Sequence, residues 1–147
     1  MVKEAIREIQ LKDKNQWEKL YKGYADFYKV EMNDKILQTV WNWLHDKNHE
    51  VDGLVYEIDG NIVGLAHYRK MPSPLRGQDI GFLDDLFVNP EYRGQKIGEK
   101  LINKMKELSK SKGWNLVRWI TRNDNIRAKS LYDKVSEKTN WDVYELK

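Results

Sequence analysis

The chain has 147 residues and a net charge of only +3, with 26 basic against 23 acidic side chains, which disfavours a dedicated nucleic-acid-binding protein. It contains no cysteine, which excludes disulfides, thiolate metal sites and a cysteine nucleophile. No segment approaches the roughly 18 apolar residues of a membrane helix, so we expect a soluble, cytoplasmic protein whose residues 1–147 form one domain.

The N-terminal third predicts one strand and two amphipathic helices. Residues 5–11 alternate apolar with charged or polar side chains, as in a half-buried strand. Asp13 is placed to cap the first helix, and Asn33 or Asp34 to cap the second. At helical spacing, the apolar face of the first helix comprises Trp17, Leu20, Tyr21, Tyr24, Phe27 and Tyr28, and that of the second comprises Ile36, Leu37, Val40, Trp41 and Leu44.

The rest of the chain predicts a sheet with helices packed on it. Residues 59–61, Asp-Gly-Asn, indicate a tight turn between two strands, and residues 79–88 form the next strand. A helix from Ile97 ends at Gly113. A strand over residues 115–122, a helix over residues 128–135 and a closing strand over residues 141–146 follow. The order β-α-α-β-β-β-α-β-α-β predicts a mixed sheet flanked by helices, with right-handed crossovers between parallel neighbours.

The connection at residues 93–98, Arg-Gly-Gln-Lys-Ile-Gly, predicts an anion-binding site. Backbone N–H groups and the helix dipole favour a phosphate or pyrophosphate at a helix N-terminus, and Arg93 and Lys96 add positive charge. Glycines at positions 94 and 98 let the backbone approach a ligand closely. The segment matches neither the Walker loop nor the dinucleotide-binding fingerprint, because the spacing of its glycines differs from that of both motifs. Taken alone, the loop is equally compatible with an ordinary strand-to-helix turn.

Two segments resemble the GNAT family of N-acetyltransferases. The family loop has Gln or Arg, two residues, Gly, one residue, then Gly or Ala; here Arg93 and Gly98 match, and Lys96 stands where the first glycine falls. Downstream, the segment "NIRAKSLYDKV" is similar to the family's segment residue by residue at Asn125, Ala128, Leu131 and Tyr132. The segments "YADFYKVEM" and "SLYDKVSEKTNWDVYEL" resemble the branch that contains histone and D-amino-acid acetyltransferases.

The resemblance implies a fold and an activity. The implied fold class is α/β (α+β), with a mixed, mostly antiparallel central sheet, one splayed pair of parallel strands and about four flanking helices. The implied reaction moves an acetyl group from acetyl-CoA, by direct attack, to a primary amine of a small amine, an amino acid, a polyamine, or a protein lysine or N-terminus. No metal is implied. A short C-terminal end that leaves a sheet edge open adds the hypothesis of a homodimer.

The resemblance also implies roles for particular residues. Tyr132 is the general acid that protonates the leaving thiolate, and Asp84 is the base or attracts the cationic amine. Because Asp84 and Asp85 are adjacent on a strand, we expect them to point to opposite faces. The cofactor residues are Leu86, Phe87, Val88, Arg93, Gly94, Gln95, Lys96, Ile97, Gly98 and Asn125; the substrate residues are Tyr24, Phe27, Tyr28, Glu31 and Asp84.

Each assignment has a structural alternative. Tyr132 and the aromatic stripe of the first helix are also compatible with core packing, and Asp84 with an ion pair. His45 and His49 are four residues apart, but no third metal ligand is indicated, and His67 is expected to be packed or exposed rather than catalytic. Two other functions stay open: a CoA-binding regulatory module without catalysis, to which Lys96 points, and a basic RNA or protein interaction domain, to which the lysines of residues 96–112 point.

Overall fold

The computed structural model describes residues 1–147, which form five strands, four α-helices and two short 3₁₀ turns. The strands are β1 (Glu4–Glu8), β2 (Val51–Ile58), β3 (Asn61–Ser73), β4 (Gln78–Val88) and β5 (Val117–Arg118). The helices are α1 (Lys14–Tyr28), α2 (Asp34–Leu44), α3 (Ile97–Lys112) and α4 (Ile126–Val135), and the 3₁₀ turns are Leu11–Asp13 and Pro90–Tyr92. None of these helices combines the length and apolar character needed to cross a membrane.

The strands form one mixed sheet in the order β1-β2-β3-β4-β5. The first four are antiparallel neighbours, and β5 runs parallel to β4 after the crossover through α3. The β2–β3 hairpin turns at Asp59 and Gly60, with φ angles of 49° and 86°. Two successive residues with positive φ match the turn whose twist suits a two-residue hairpin. The predicted mixed, mostly antiparallel sheet is therefore confirmed.

Helices cover both faces of the sheet. On one face, α1 and α2 bury Trp17 and Trp41 against β3 and β4, and Trp17 has no exposed surface. On the other face, α3 buries Leu101 and Met105 against the same strands. The caps agree with the predicted boundaries, since the Asn33 side chain accepts a hydrogen bond from the Ile36 N–H at 2.9 Å and Gly113 ends α3 with φ 78°.

The parallel pair separates soon after it forms. Only Gly81 pairs with Val117 and Phe82 with Arg118, so from Leu83 to Val88 β4 has no partner on that side. A β-bulge follows directly, because His67 of β3 pairs with Asp85 while the next residue pairs with Leu83, which leaves Asp84 unpaired. A bulge bends its strand and can end pairing. The separation leaves a cleft between β4 and the chain that follows β5.

Three local predictions were wrong. Residues 141–146 form no strand, and Trp141 is 69% exposed, because alternation selects a face but cannot supply a partner strand. The strand predicted over residues 115–122 is reduced to the two residues that pair with β4. Asp13 does not cap α1; its carboxylate instead accepts hydrogen bonds from the Gln10 N–H at 2.8 Å and from the Arg7 guanidinium at 2.7 and 2.9 Å.

Candidate active site

The loop between β4 and α3 presents unpaired backbone donors. Lys96 precedes the first helical residue with a left-handed φ of 61°, and Gly94 has a φ of 87°. The N–H groups of residues 94–96 donate no hydrogen bond within the protein, and the first helical bond runs from the Lys100 N–H to the Lys96 carbonyl at 3.0 Å. These free donors lie at the positive end of the α3 dipole. The loop can therefore bind an anion through its backbone.

A cavity of about 400 Å³ opens beside this loop. The end of β4, the loop and the first turns of α4 line it, and the Arg93 guanidinium lies 5.3 Å from the centre of the Phe27 ring at its edge. Every residue predicted for the cofactor reaches this cavity except Gln95. Arg127 and Lys134 also line it and were missed by sequence reasoning. The two basic residues are seven positions apart and therefore share one face of α4, a pattern from which both could have been predicted.

A much smaller cavity, about 20 Å³, lies further along the cleft. Three residues, Tyr28, Leu86 and Tyr132, line both cavities and therefore mark their junction. The hydroxyl of Thr121 is buried in this region without a hydrogen-bond partner, which sequence reasoning did not anticipate. The small cavity is lined by Tyr24, Tyr28, Leu83, Asp84, Leu86, Trp119, Ile120, Thr121 and Tyr132.

Tyr132 brings a protonated phenol to the junction. Burial, and then the neighbouring Tyr28, raise the pKa of Tyr132 to about 12, so its hydroxyl keeps its proton at neutral pH. Its ring packs edge-on against Trp119, with centroids 5.3 Å apart. The phenol can donate a proton or a hydrogen bond to a group in either cavity.

Asp84 and Asp85 lie on the same face of the sheet, so the prediction of opposite faces was wrong. The Asp84 carboxylate pairs with the Arg69 Nε at 3.0 Å, and the Asp85 carboxylate lies 2.8 Å from the His67 Nδ1. His67 and Arg69 are two residues apart on β3 and therefore share a face. The bulge at Asp84 removes the alternation that the prediction assumed.

The two carboxyl groups differ in proton affinity. Burial raises the pKa of Asp84, the Asp85 charge adds to the rise, and Arg69 only partly opposes it. At Asp85 burial also favours the neutral form, but the hydrogen bonds from His67 and Tyr21 and the proximity of His67 hold its pKa below the ordinary value. Asp84 is therefore the better proton acceptor, whereas the carboxyl group of Asp85 stays ionised at neutral pH.

The substrate residues predicted on and after α1 do not all lie in one cavity. Tyr24 lines the small cavity, Tyr28 lines both cavities, and Phe27 lies beneath Arg93 in the large one. Glu31 reaches neither cavity; it is exposed and accepts a hydrogen bond from the Asn33 amide at 3.2 Å.

The three histidines lie outside both cavities. His49 stacks on Trp43, with centroids 4.6 Å apart, and its Nδ1 accepts a hydrogen bond from the Val51 N–H at 3.1 Å. His45 packs on Trp41 at the end of α2, and no group of three side chains is spaced to hold a metal ion. His67 is buried, which agrees with the prediction that it is packed.

Comparison with known proteins identifies the class. Residues 17–136 match the Acetyltransferase (GNAT) family, and the chain therefore belongs to that family. It is 30% identical over 142 residues to the D-amino-acid N-acetyltransferase HPA3 of Saccharomyces cerevisiae, covering 95% of this chain and 88% of that protein. It is 28% identical over 141 residues to the thialysine N-epsilon-acetyltransferase of Mus musculus, covering 90% and 82%.

A solved structure supports the fold assignment. The aminoglycoside N-acetyltransferase AAC(6')-Iy in complex with CoA superposes with a TM-score of 0.84 at 18% identity, covering 100% of this chain and 96% of that one. Family and fold together identify an enzyme of the N-acetyltransferase class and confirm the predicted resemblance. They favour catalysis over a CoA-binding module or an RNA-interaction domain.

Proposed function

We propose that the protein transfers the acetyl group of acetyl-CoA to a primary amine at the junction of the two cavities. The observation that carries this proposal is that Tyr28, Leu86 and Tyr132 line both cavities where β4 loses its partner strand. A donor in the large cavity and an amine in the small one would meet at this point.

The large cavity fits the coenzyme. The free N–H groups of residues 94–96 and the start of α3 would hold its pyrophosphate, with Arg93 and Lys96 adding charge. The unpaired side of β4, at Leu86, Phe87 and Val88, would take the pantetheine arm as an added strand. Asn125 also lines this cavity.

In the proposed reaction the neutral amine attacks the thioester carbonyl, and the C–S bond breaks as the new C–N bond forms. The departing sulfur takes up a proton, and Tyr132 is the protonated group at the junction that can supply it. A primary amine has an ordinary pKa near 10.4, so its neutral form costs about 4–5 kcal/mol at pH 7. Asp84 lines the small cavity and burial raises its pKa, which supports it as the carboxylate that would accept the amine's proton.

The size of the small cavity bears on the acceptor. About 20 Å³ admits an amino group and its nearest carbon, while the remainder of the acceptor extends outward. We propose an acceptor with a primary amine on a slender, unbranched or singly branched carbon. Relatives that act on D-amino acids and on thialysine support amino-acid-like acceptors as the first compounds to test.

We further propose a homodimer, formed in the cytoplasm. The outer edge of β5 is unpaired, and residues 141–146 leave Trp141, Val143 and Tyr144 exposed. Pairing of a second copy at the β5 edge would supply the missing strand partner, and the exposed apolar side chains offer further surface for contact between copies. A chain without cysteine has no disulfides that an oxidising compartment would maintain. A monomeric mass by light scattering at micromolar concentration would contradict the dimer.

The activity is tested by thiol release. The purified protein is incubated with acetyl-CoA and a panel of D- and L-amino acids, thialysine, polyamines and aminoglycosides, and free CoA is measured with a thiol reagent. We expect amine-dependent release, together with a thermal shift on adding acetyl-CoA alone. A thermal shift without release for any amine would support a binding module, and neither signal would contradict the assignment of the large cavity.

A further inference from the structure

We propose that Arg69 is a positioning residue of the acetyl transfer, which holds the Asp84 carboxylate in one direction and keeps it ionised, so that it can accept the proton of the amine. The inference rests on the proposed function, in which Asp84 is the proton acceptor, and it specifies what controls that carboxylate. It follows from the bulge in β4 and from the contacts of the Arg69 side chain.

The cross-strand pairing of the sheet leaves Asp84 out. In the pairing of β3 with β4, Asp84 is the extra residue of the bulge and has no partner. On its other side, the pairing of β4 with β5 ends at Phe82. The extra residue of a bulge is not held by the ladder of its strand. The direction of the Asp84 side chain therefore depends on its side-chain contacts.

Arg69 provides those contacts. Its Nε donates to both oxygens of the Asp84 carboxylate, at 3.0 and 3.2 Å, and the carboxylate accepts no other hydrogen bond within the protein. One N–H shared by two oxygens lies between them, so it sets the direction of the carboxylate as well as its distance. Hydrogen bonds between ionised groups are also stronger than those between neutral groups. Arg69 is therefore the residue that orients Asp84.

The Phe82 ring holds the guanidinium of Arg69 in turn. Phe82 is the cross-strand partner of Arg69, and the guanidinium carbon lies 4.7 Å from the centre of its ring. A planar guanidinium stacks on an aromatic ring, whereas a lysine ammonium is a point charge without a preferred plane. The stacking restricts the directions in which the Nε–H can point. The orientation of Asp84 thus depends on Phe82 through Arg69.

Arg69 is also the lasting positive charge beside Asp84 on the sheet. His67, on the same strand as Arg69, is neutral, because its Nε2 lies 2.9 Å from the Trp17 Nε1 and an indole nitrogen can only donate a hydrogen bond. On β4 the neighbouring Asp85 carries a negative charge, which opposes ionisation of Asp84. Neither neighbour can replace Arg69 in stabilising the ionised carboxylate.

The other elements around Asp84 supply no second cation in contact with it. The charged residue of β5 is Arg118, which pairs in the sheet with Phe82, and the ion pair of Asp84 is with Arg69. Burial raises the pKa of Asp84, and Arg69 is the main group that opposes the rise. From α1 and α4, the titratable groups that share the small cavity with Asp84 are phenols, which carry no charge at neutral pH: Tyr24, Tyr28 and Tyr132.

The pH dependence of kcat/KM for the best amine of the panel tests both parts of the inference. Its acidic limb reports the protonation of the essential base in the free enzyme, and its plateau reports the reaction of the ionised form. For Arg69→Gln we expect the limb to move to higher pH by about one unit or more, because a carboxylate that loses a neighbouring cation is easier to protonate. We expect the plateau to fall about tenfold, because Asp84 is no longer held in one direction.

Arg69→Lys separates charge from orientation. It keeps the positive charge, so the limb should stay close to its wild-type position, while the plateau should fall because the planar, stacked group is lost. Phe82→Leu, which keeps the arginine and removes the ring beneath it, should likewise lower the plateau and leave the limb in place. A role of Arg69 in folding stability alone would not move the limb.

Arg76→Gln is the matched control, because it removes the same charge from the turn between β3 and β4. The Arg76 side chain donates only to the Ser73 Oγ, at 3.3 Å, and lines neither cavity. Its limb and plateau should equal those of the wild-type protein. The KM for acetyl-CoA should be unchanged in every variant.

The outcomes separate the two proposals. If the wild-type protein acetylates no amine, or if Asp84→Asn keeps the wild-type limb, the proposed function fails in whole or in its assignment of the base. If Asp84→Asn abolishes the limb and Arg69→Gln leaves it in place, this inference is wrong while the proposed function stands. A shift as large in Arg76→Gln would also overturn the inference, since net charge alone would then explain it. Full plateau activity in both Arg69→Lys and Phe82→Leu would contradict the orienting role.

Discussion

The side-chain amide of Asn125 donates a hydrogen bond to the Tyr28 hydroxyl at 3.0 Å, joining residues 97 positions apart in the sequence. The same Asn125 side chain accepts from the Ala128 N–H at 3.3 Å and so caps α4. One side chain therefore starts α4 and ties it to the end of α1 across the cleft. The width of the large cavity depends on this connection, since both residues line it.

We expect Asn125→Ala to weaken acetyl-CoA binding as well as stability. Loss of a helix N-cap costs about 1 kcal/mol, and loss of the bond to Tyr28 frees α4 to move away from α1. Asn33→Ala is the control, because Asn33 caps α2 with an equivalent bond to the Ile36 N–H at 2.9 Å and lines neither cavity. Urea unfolding and calorimetric titration with CoA measure the two effects. Equal loss of CoA affinity in both variants would contradict this role of Asn125.

We expect the free energy of unfolding of the Lys96→Gly variant to exceed that of the Lys96→Ala variant by about 1 kcal/mol. A residue with a Cβ is strained in the left-handed region, whereas glycine is not. Lys96 has a φ of 61° at the position where the family pattern has glycine. Urea unfolding of the two variants measures the difference. Equal midpoints would show that the loop relaxes when the lysine is replaced.

The same pair of variants separates charge from backbone access in coenzyme binding. Both lack the lysine charge, so both should bind CoA with a weaker salt dependence than the wild-type protein. Only Lys96→Gly lets a phosphate approach the backbone without a Cβ, so it should bind CoA more tightly than Lys96→Ala. The reverse order, measured by calorimetry at two salt concentrations, would place the pyrophosphate away from residue 96.

Tyr132→Phe should lower turnover by roughly a hundredfold or more without changing the affinity for CoA, as expected when a general acid is removed. Tyr68→Phe is the control. The pKa of Tyr68 is also raised to about 12 by burial, but Tyr68 packs against Trp114 on the α3 face and lines neither cavity. Steady-state kinetics of both variants are compared. Full turnover in Tyr132→Phe would exclude the phenol as the proton donor.

Much of the large cavity could be predicted because its signals are local. Arg93, Lys96 and Gly98 lie within six residues, and Ala128, Leu131 and Tyr132 lie on the one helix that Asn125 caps. Helix caps and tight turns could be predicted for the same reason, since the Asn33 cap and the turn at Gly60 depend on neighbours in the chain. Patterns of this kind are visible in the sequence because the interactions that they describe span only a few residues.

The electrostatics of the small cavity could not be predicted because they depend on register. The bulge at Asp84 exists only in the pairing of β3 with β4, and it alone brings Asp84 and Asp85 to one face. The hydrogen bond between Trp17 and His67 joins residues 50 positions apart. The exposed segment at residues 141–146 shows the same limit, since a strand pattern does not reveal whether a partner is present.

Asp84 and Asp85 should affect stability with opposite dependence on pH. The folded state lowers the pKa of Asp85, so its ionised form is stabilising at neutral pH. That contribution is complete above its unfolded pKa, near 3.9, and is lost as pH falls through the lower folded value. Asp85→Asn should therefore be less stable than wild type at pH 7, on the order of 2 kcal/mol for hydrogen bonds to a charged group, and the difference should shrink below about pH 4.

Asp84→Asn is the matched comparison. The folded state raises the pKa of Asp84, so its ionised form is the less favourable one, and the wild-type protein gains stability relative to the variant as pH falls through that raised value. At pH 7 we expect Asp84→Asn to be at least as stable as wild type, while its turnover falls because the proton acceptor is gone. Urea unfolding from pH 7 to pH 3 measures both differences. Equal losses of stability at pH 7 in the two variants would mean that Asp84 and Asp85 do not differ in proton affinity. The assignment of Asp84 as the base would then lose its physical support.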